Sequence, residues 1–115
     1  MSALAKAHYS ASILFTGHSL GGALATFAAI DVKERLPNLA NSMKLYTFGS
    51  PRTGNQGWAD YVMKIYAPST NLFRVVHGND IVPHLPNLWQ DFNHVGTEVW
   101  YPGRGLELSY NICGN

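Results

Sequence analysis

Ile13-Leu14-Phe15-Thr16-Gly17-His18-Ser19-Leu20-Gly21-Gly22-Ala23-Leu24-Ala25 sets an apolar run, a glycine-flanked serine and a small-residue stretch in immediate succession. That order predicts a strand over Ser12–Thr16, a tight turn, and a helix from about Leu20 to Leu36. Gly17-His18-Ser19-Leu20-Gly21 is G-x-S-x-G, the nucleophile elbow, which lifts a serine hydroxyl clear of a sheet edge on a strained turn. A side chain at position 17 or 21 is expected to collide with the neighbouring strand or helix. Ser19 would lie at a helix N-terminus, where free N–H groups and the helix dipole favour developing negative charge. The five-residue pattern alone is weak evidence. A strand before it and a helix after it make it informative.

Working outward, Ala3, Leu4, Ala5 and Ala7 predict the tail of a helix over Ser2–His8. The helix after the elbow carries Leu24, Phe27, Ala28, Val32 and Leu36 as its expected apolar side, and Pro37 stops it. Met43–Phe48 alternates and is rich in β-formers, predicting a second strand. Asn55–Tyr66 predicts a helix with Trp58, Tyr61, Val62 and Ile65 inward. Asn71–Val76 predicts a third strand ending in His77-Gly78-Asn79-Asp80. Val95–Tyr101 and Leu106–Tyr110 flank Pro102-Gly103-Arg104-Gly105 as an antiparallel hairpin. Strands alternating with helices imply an α/β fold, a parallel sheet with right-handed crossovers. Functional groups then gather outside the carboxyl ends of the strands.

Bulk properties narrow the function classes. A chain of 115 residues is one domain by length, and 46% hydrophobic with 13% charged residues is globular rather than disordered. A formal net charge of +1 gives no electrostatic reason to expect nucleic acid. No apolar run approaches the roughly 18 residues of a membrane span, and no signal-peptide pattern follows Met1. Cys113 is the one cysteine, too close to the C-terminus to join a metal-ligand spacing.

A serine needs a base to take its proton and a carboxylate to orient that base. Asp80 directly follows a strand and fits the carboxylate. Of the five histidines, His8, His18 and His77 precede Asp80, and His18 is expected to face away from the reacting side. His84 and His94 follow it. His94, in Asp91-Phe92-Asn93-His94-Val95-Gly96, is the natural candidate for the base by chain order, against a loop position for His84.

Three blocks carry a family resemblance: Thr16 to Ala25, Tyr46-Thr47-Phe48-Gly49-Ser50-Pro51-Arg52-Thr53-Gly54-Asn55, and Arg74-Val75-Val76-His77-Gly78-Asn79-Asp80-Ile81-Val82-Pro83-His84-Leu85-Pro86. In this order they resemble the fungal-type class 3 triacylglycerol lipases of the α/β-hydrolase fold. The resemblance implies Ser19 as nucleophile, Asp80 as triad carboxylate and the Leu20 N–H as one oxyanion donor. It makes His94 structural and puts the catalytic histidine beyond the last residue of this chain. It further implies missing strands, a lid and a second oxyanion donor before the elbow strand, so that residues 1–115 form the central to C-terminal part of a longer α/β-hydrolase domain. Cys113 resembles a family cysteine that pairs with one a few residues further on.

The function so implied is hydrolysis of acylglycerol esters through an acyl-enzyme, by a secreted protein acting at a lipid interface, with neither metal nor organic cofactor. A phospholipase A1, a feruloyl-type carboxylesterase and a non-catalytic lipid-binding remnant are the alternatives.

Overall fold

Alternation of apolar and polar residues sets up three short strands, and their common direction follows from the helices between them. In the computed structural model, which describes residues 12–66, 71–103, 105 and 109–113, β1 is Ile13–His18, α1 Leu20–Arg35, β2 Met43–Phe48, α2 Gln56–Tyr66 and β3 Leu72–His77. β4 (Thr97–Tyr101) and β5 (Asn111–Cys113) complete one sheet in the order β1-β2-β3-β4-β5. The first four strands are parallel, and β5 runs antiparallel to β4.

The sheet has one packed side. Met43, Leu45 and Thr47 of β2 and Leu72, Arg74 and Val76 of β3 are buried, while their alternate neighbours are partly or fully exposed. Ala29 and Ile30 of α1 join Ala59, Val62 and Tyr66 of α2 in a core with Leu45, Leu72 and Val95. Phe27 of α1 also stacks at 5.3 Å against Trp58 of α2, so both helices lie on this side. Arg74 reaches its register partner Glu98 at 3.1 Å, and its Nε donates to Val95 O, which is how a guanidinium is tolerated there.

The buried stripe of α1 differs from the expected one. Gly22, Ala23, Thr26, Ala29 and Ile30 face the sheet, whereas Leu24, Phe27 and Ala28 are exposed and Val32 and Leu36 only half-buried. Small residues let the helix lie close to the strands, and the bulkier ones are left on its outer side. On α2 the buried positions are Ala59, Val62 and Tyr66; Trp58 and Ile65 pack partly against the core and Tyr61 points outward. Asn55 caps this helix, its Oδ1 accepting from the Trp58 N–H at 2.9 Å.

The expected C-terminal hairpin exists, with its second strand displaced. Pairing sets Glu98 against Cys113, Val99 against Ile112 and Trp100 against Asn111. Ser109 and Tyr110 are not in a strand, and residues 106–108 lie outside the described residues, as does the expected helix tail at Ser2–His8. Cys113 is exposed.

Candidate active site

β1 extends through Gly17 and His18, so the chain must leave the sheet and enter α1 within a single residue. That residue is Ser19, at φ 56° and ψ −130°, a left-handed conformation that costs a non-glycine residue about 1–3 kcal/mol. Its N–H donates to Phe48 O at 2.9 Å and its carbonyl accepts from Gly22 N–H at 2.9 Å. The turn is thereby pinned to the end of β2, and the side chain makes no cap hydrogen bond. Leu20 and Gly21 open α1, where first-turn N–H groups have no acceptor within the helix.

Close approach explains two glycines of the elbow. A Cβ on Gly17 would stand 2.1 Å from Gly21 O, and one on Gly22 would stand 2.7 Å from Ser50 Cβ. Gly21, expected to be equally constrained, would meet nothing within 4 Å. It sits on the exposed side of the first turn, and the crowded partner is Gly22, which faces the loop after β2.

Asp80 follows β3 through Gly78 and Asn79. Its N–H donates to His77 O at 3.2 Å, and its Oδ1 accepts from Val82 N–H at 3.0 Å. The second oxygen, Oδ2, lies over Gly49, 2.8 Å from where a Cβ on that residue would stand. Gly49 has φ +55° and immediately follows the Phe48 carbonyl that holds Ser19. Ser19, Gly49 and Asp80 are therefore contiguous across the carboxyl ends of three adjacent strands. His18, expected to face away, also approaches this point, with its Nε2 3.7 Å from the same Cβ position.

His94 is placed elsewhere. Its Nε2 lies 2.6 Å from Pro83 O, so this nitrogen carries the proton and donates. Burial, reinforced by the Arg74 charge, pushes its pKa down to about 3. It lines a cavity of about 340 Å³ with Arg52, Glu98 and Trp100. Asp80 faces a different cleft, of about 540 Å³, with His77, Pro102 and Gly103. His84 is exposed.

Arg52 is a site-building residue that sequence reasoning missed. Its N–H donates to Leu85 O at 2.8 Å, and its guanidinium donates to His84 O and to Pro86 O, the latter at 2.7 Å. It fastens the segment after Asp80 to the loop after β2. Only its place within Ser50-Pro51-Arg52-Thr53-Gly54 hinted at this. Among the described residues no three His, Cys, Asp or Glu side chains come together as a metal site.

Residues 1–89 match the family Lipase (class 3). The chain belongs to this family. It is 38% identical over 113 residues to the secreted mono- and diacylglycerol lipase 1 of Fusarium solani, covering 97% of this chain and 32% of that protein. The class 3 fold is equally clear in solved structures. Lipase II from Rhizopus niveus superposes with a TM-score of 0.88 at 38% identity, over 97% of this chain and 41% of its own. A triacylglycerol lipase described as having a serine protease triad as its catalytic centre superposes with a TM-score of 0.78 at 42% identity, over 84% of this chain and 36% of its own. The class 3 segment thus spans between a fifth and a third of the length of the curated relatives it matches. Their fold is that of the α/β-hydrolases, and this chain has its parallel sheet and crossover helices.

Proposed function

We propose that this chain carries the nucleophile and the carboxylate of a secreted serine hydrolase that cleaves acylglycerol esters. One observation carries the reading: the strained Ser19 turn and the Asp80 carboxylate meet at Gly49 on one edge of the sheet. Ser19 Oγ attacks the ester carbonyl, a histidine takes its proton, and Asp80 Oδ2 accepts from that histidine's N–H and holds its tautomer. The Leu20 N–H stabilises the oxyanion at the mouth of α1. The alcohol leaves with the proton, and water then releases the fatty acid from the acyl-enzyme.

His94 is not the base in this reading. Its Nε2–H is committed to Pro83 O, its basicity is far below what proton abstraction near neutral pH needs, and Asp80 does not line its cavity but the neighbouring one across Gly78 and Asn79. The base comes from a segment outside residues 1–115, which form the central to C-terminal part of a longer hydrolase domain. The name of the Fusarium solani relative supports both acylglycerol substrates and secretion.

Fluorophosphonate labelling tests the assignment. The chain extended by the C-terminal segment of a relative should label, and Ser19→Ala should abolish labelling. In the 115 residues alone labelling should be slower by orders of magnitude, since loss of a triad base costs about 10⁶ in kcat. Labelling of the unextended chain that vanishes in His94→Ala would overturn the assignment of the base. Persistent silence of the folded, extended chain would favour a lipid-binding remnant. Turnover of triolein, phosphatidylcholine and a short soluble ester by the extended enzyme separates lipase from phospholipase and carboxylesterase.

A further inference from the structure

The segment between Asp80 and β4 leaves large apolar side chains in water. Trp89 is 85% exposed and Leu88 64%, while most tryptophan rings are largely buried. Both sit on a 3-10 turn, Leu88–Gln90, whose backbone is fixed from within. The Gln90 N–H donates to Asn87 O and the Asn87 N–H donates to Gln90 Oε1, each at 3.0 Å. The turn is also held at both flanks. Arg52 binds the carbonyls of His84, Leu85 and Pro86 on one side, and Asn93 N–H donates to Gly54 O at 2.7 Å on the other.

We propose that Leu88 and Trp89 are a shallow anchor in a lipid–water surface, holding the protein against the aggregate from which Ser19 draws its ester. The proposal rests on the acylglycerol reading above and names the surface on which it operates. Size decides between a lipid and a protein partner. Two apolar side chains offer roughly 300 Å², against about 800 Å² per partner in a stable protein interface. That is too little for a protein, but enough for a tip that enters the headgroup layer. The surroundings are also of the right kind. Arg52, His84 and Asn87 line a shallow hollow with Leu88 and Trp89, which sets polar side chains directly beside the apolar tip, as an interfacial anchor requires. Position completes the argument, because Ile81, 64% exposed, joins this segment directly to Asp80.

Of the chain's three tryptophans, Trp58 and Trp100 are partly buried, so Trp89 can be read by fluorescence. The test mixes the protein with phosphatidylcholine vesicles containing diacylglycerol, with and without bromine on the upper acyl chain. Trp89 emission should shift to the blue and be quenched by the brominated lipid, and the quenching should disappear in Trp89→Phe. Partitioning by co-sedimentation should fall about tenfold or more in Leu88→Ser/Trp89→Ser, and Trp89→Tyr should retain most of it. Unquenched Trp89 in vesicle-bound protein, or binding that needs anionic lipid and survives the double substitution, would overturn the anchor. Fluorophosphonate labelling of the C-terminally extended chain in free solution reports Ser19 without a lipid surface, so the anchor and the hydrolase assignment fail separately. Quenching without labelling would leave the anchor and remove the hydrolase.

Discussion

A methyl group on Gly17 would occupy space already held by the Gly21 carbonyl, whereas one on Gly21 would enter open space. The two alanine substitutions should therefore differ in sign. Gly17→Ala should cost about 3 kcal/mol or more in a denaturant titration. Gly21→Ala should gain up to about 1 kcal/mol from helix propensity. From sequence, both glycines of G-x-S-x-G looked equally constrained. What distinguishes them is direction at the turn: a Cβ on Gly17 would point into the Gly21 carbonyl and the Gly22 N–H, whereas one on Gly21 would point outward.

His94 makes a second prediction at this scale. Unfolded, its imidazole protonates below about pH 6.5; folded, it stays neutral down to about 3. Its contribution to stability is therefore full above the unfolded value and is lost as pH falls toward 3. Between pH 7 and 5 the unfolding free energy should drop by roughly 1–2 kcal/mol from this group, discounted for its partial exposure. His94→Gln should flatten that part of the urea-midpoint profile. Chain order alone had made His94 eligible as a base, and the family resemblance had made it structural. Its bond to Pro83 is the observation on which the proposed structural role rests.

At the scale of elements, one arginine replaces what a strand pairing would do. Two guanidinium bonds and one N–H bond tie His84–Pro86 to the loop after β2. Arg52→Ala should cost about 1–2 kcal/mol and speed amide exchange across Val82–Gln90. Arg52→Lys should rescue little, because one terminal guanidinium nitrogen, Nη1, meets both carbonyls with N–H directions fixed in the guanidinium plane, and the shorter, more flexible lysine does not hold an ammonium there. The elements themselves were legible where a period ran uninterrupted, as at Met43–Phe48, which matches in full. They were less legible where hydrophobicity and packing diverge. In α1 the large residues suggested an inner face over Leu24, Phe27 and Ala28, but close packing selected Gly22, Ala23, Thr26 and Ala29. The strand that pairs with β4 is Asn111–Cys113, beyond the expected Leu106–Tyr110, because pairing with β4, not residue composition, selects it.

For the molecule as a whole, the uncovered side of the sheet is the feature on which the proposed longer domain can be tested. Parallel sheets are ordinarily buried on both faces. Here Leu14 is 54% and Phe48 44% exposed, with Tyr46 and Phe73 stacked beside them at 5.5 Å. Phe48→Ser should cost less than about 1 kcal/mol in the 115-residue chain and about 3 kcal/mol in the longer parent, where a second layer would bury the ring. Equal, small costs in both would count against the proposed domain. The α/β class and the meeting of Ser19 with Asp80 were readable because both rest on short local signals at strand ends. Which groups lie between them was not.

The strand order also bears on how the sheet is made. Each strand pairs with the one that precedes it in sequence, from β1 to β5. Among the described strands none is inserted between two that already pair. As the chain leaves the ribosome from its N-terminus, every new strand finds its template already synthesised, and the growing edge advances in one direction. Ser19 would then settle against Phe48 as soon as β2 docks, so that the strained elbow forms early, and Asp80 joins it one strand later.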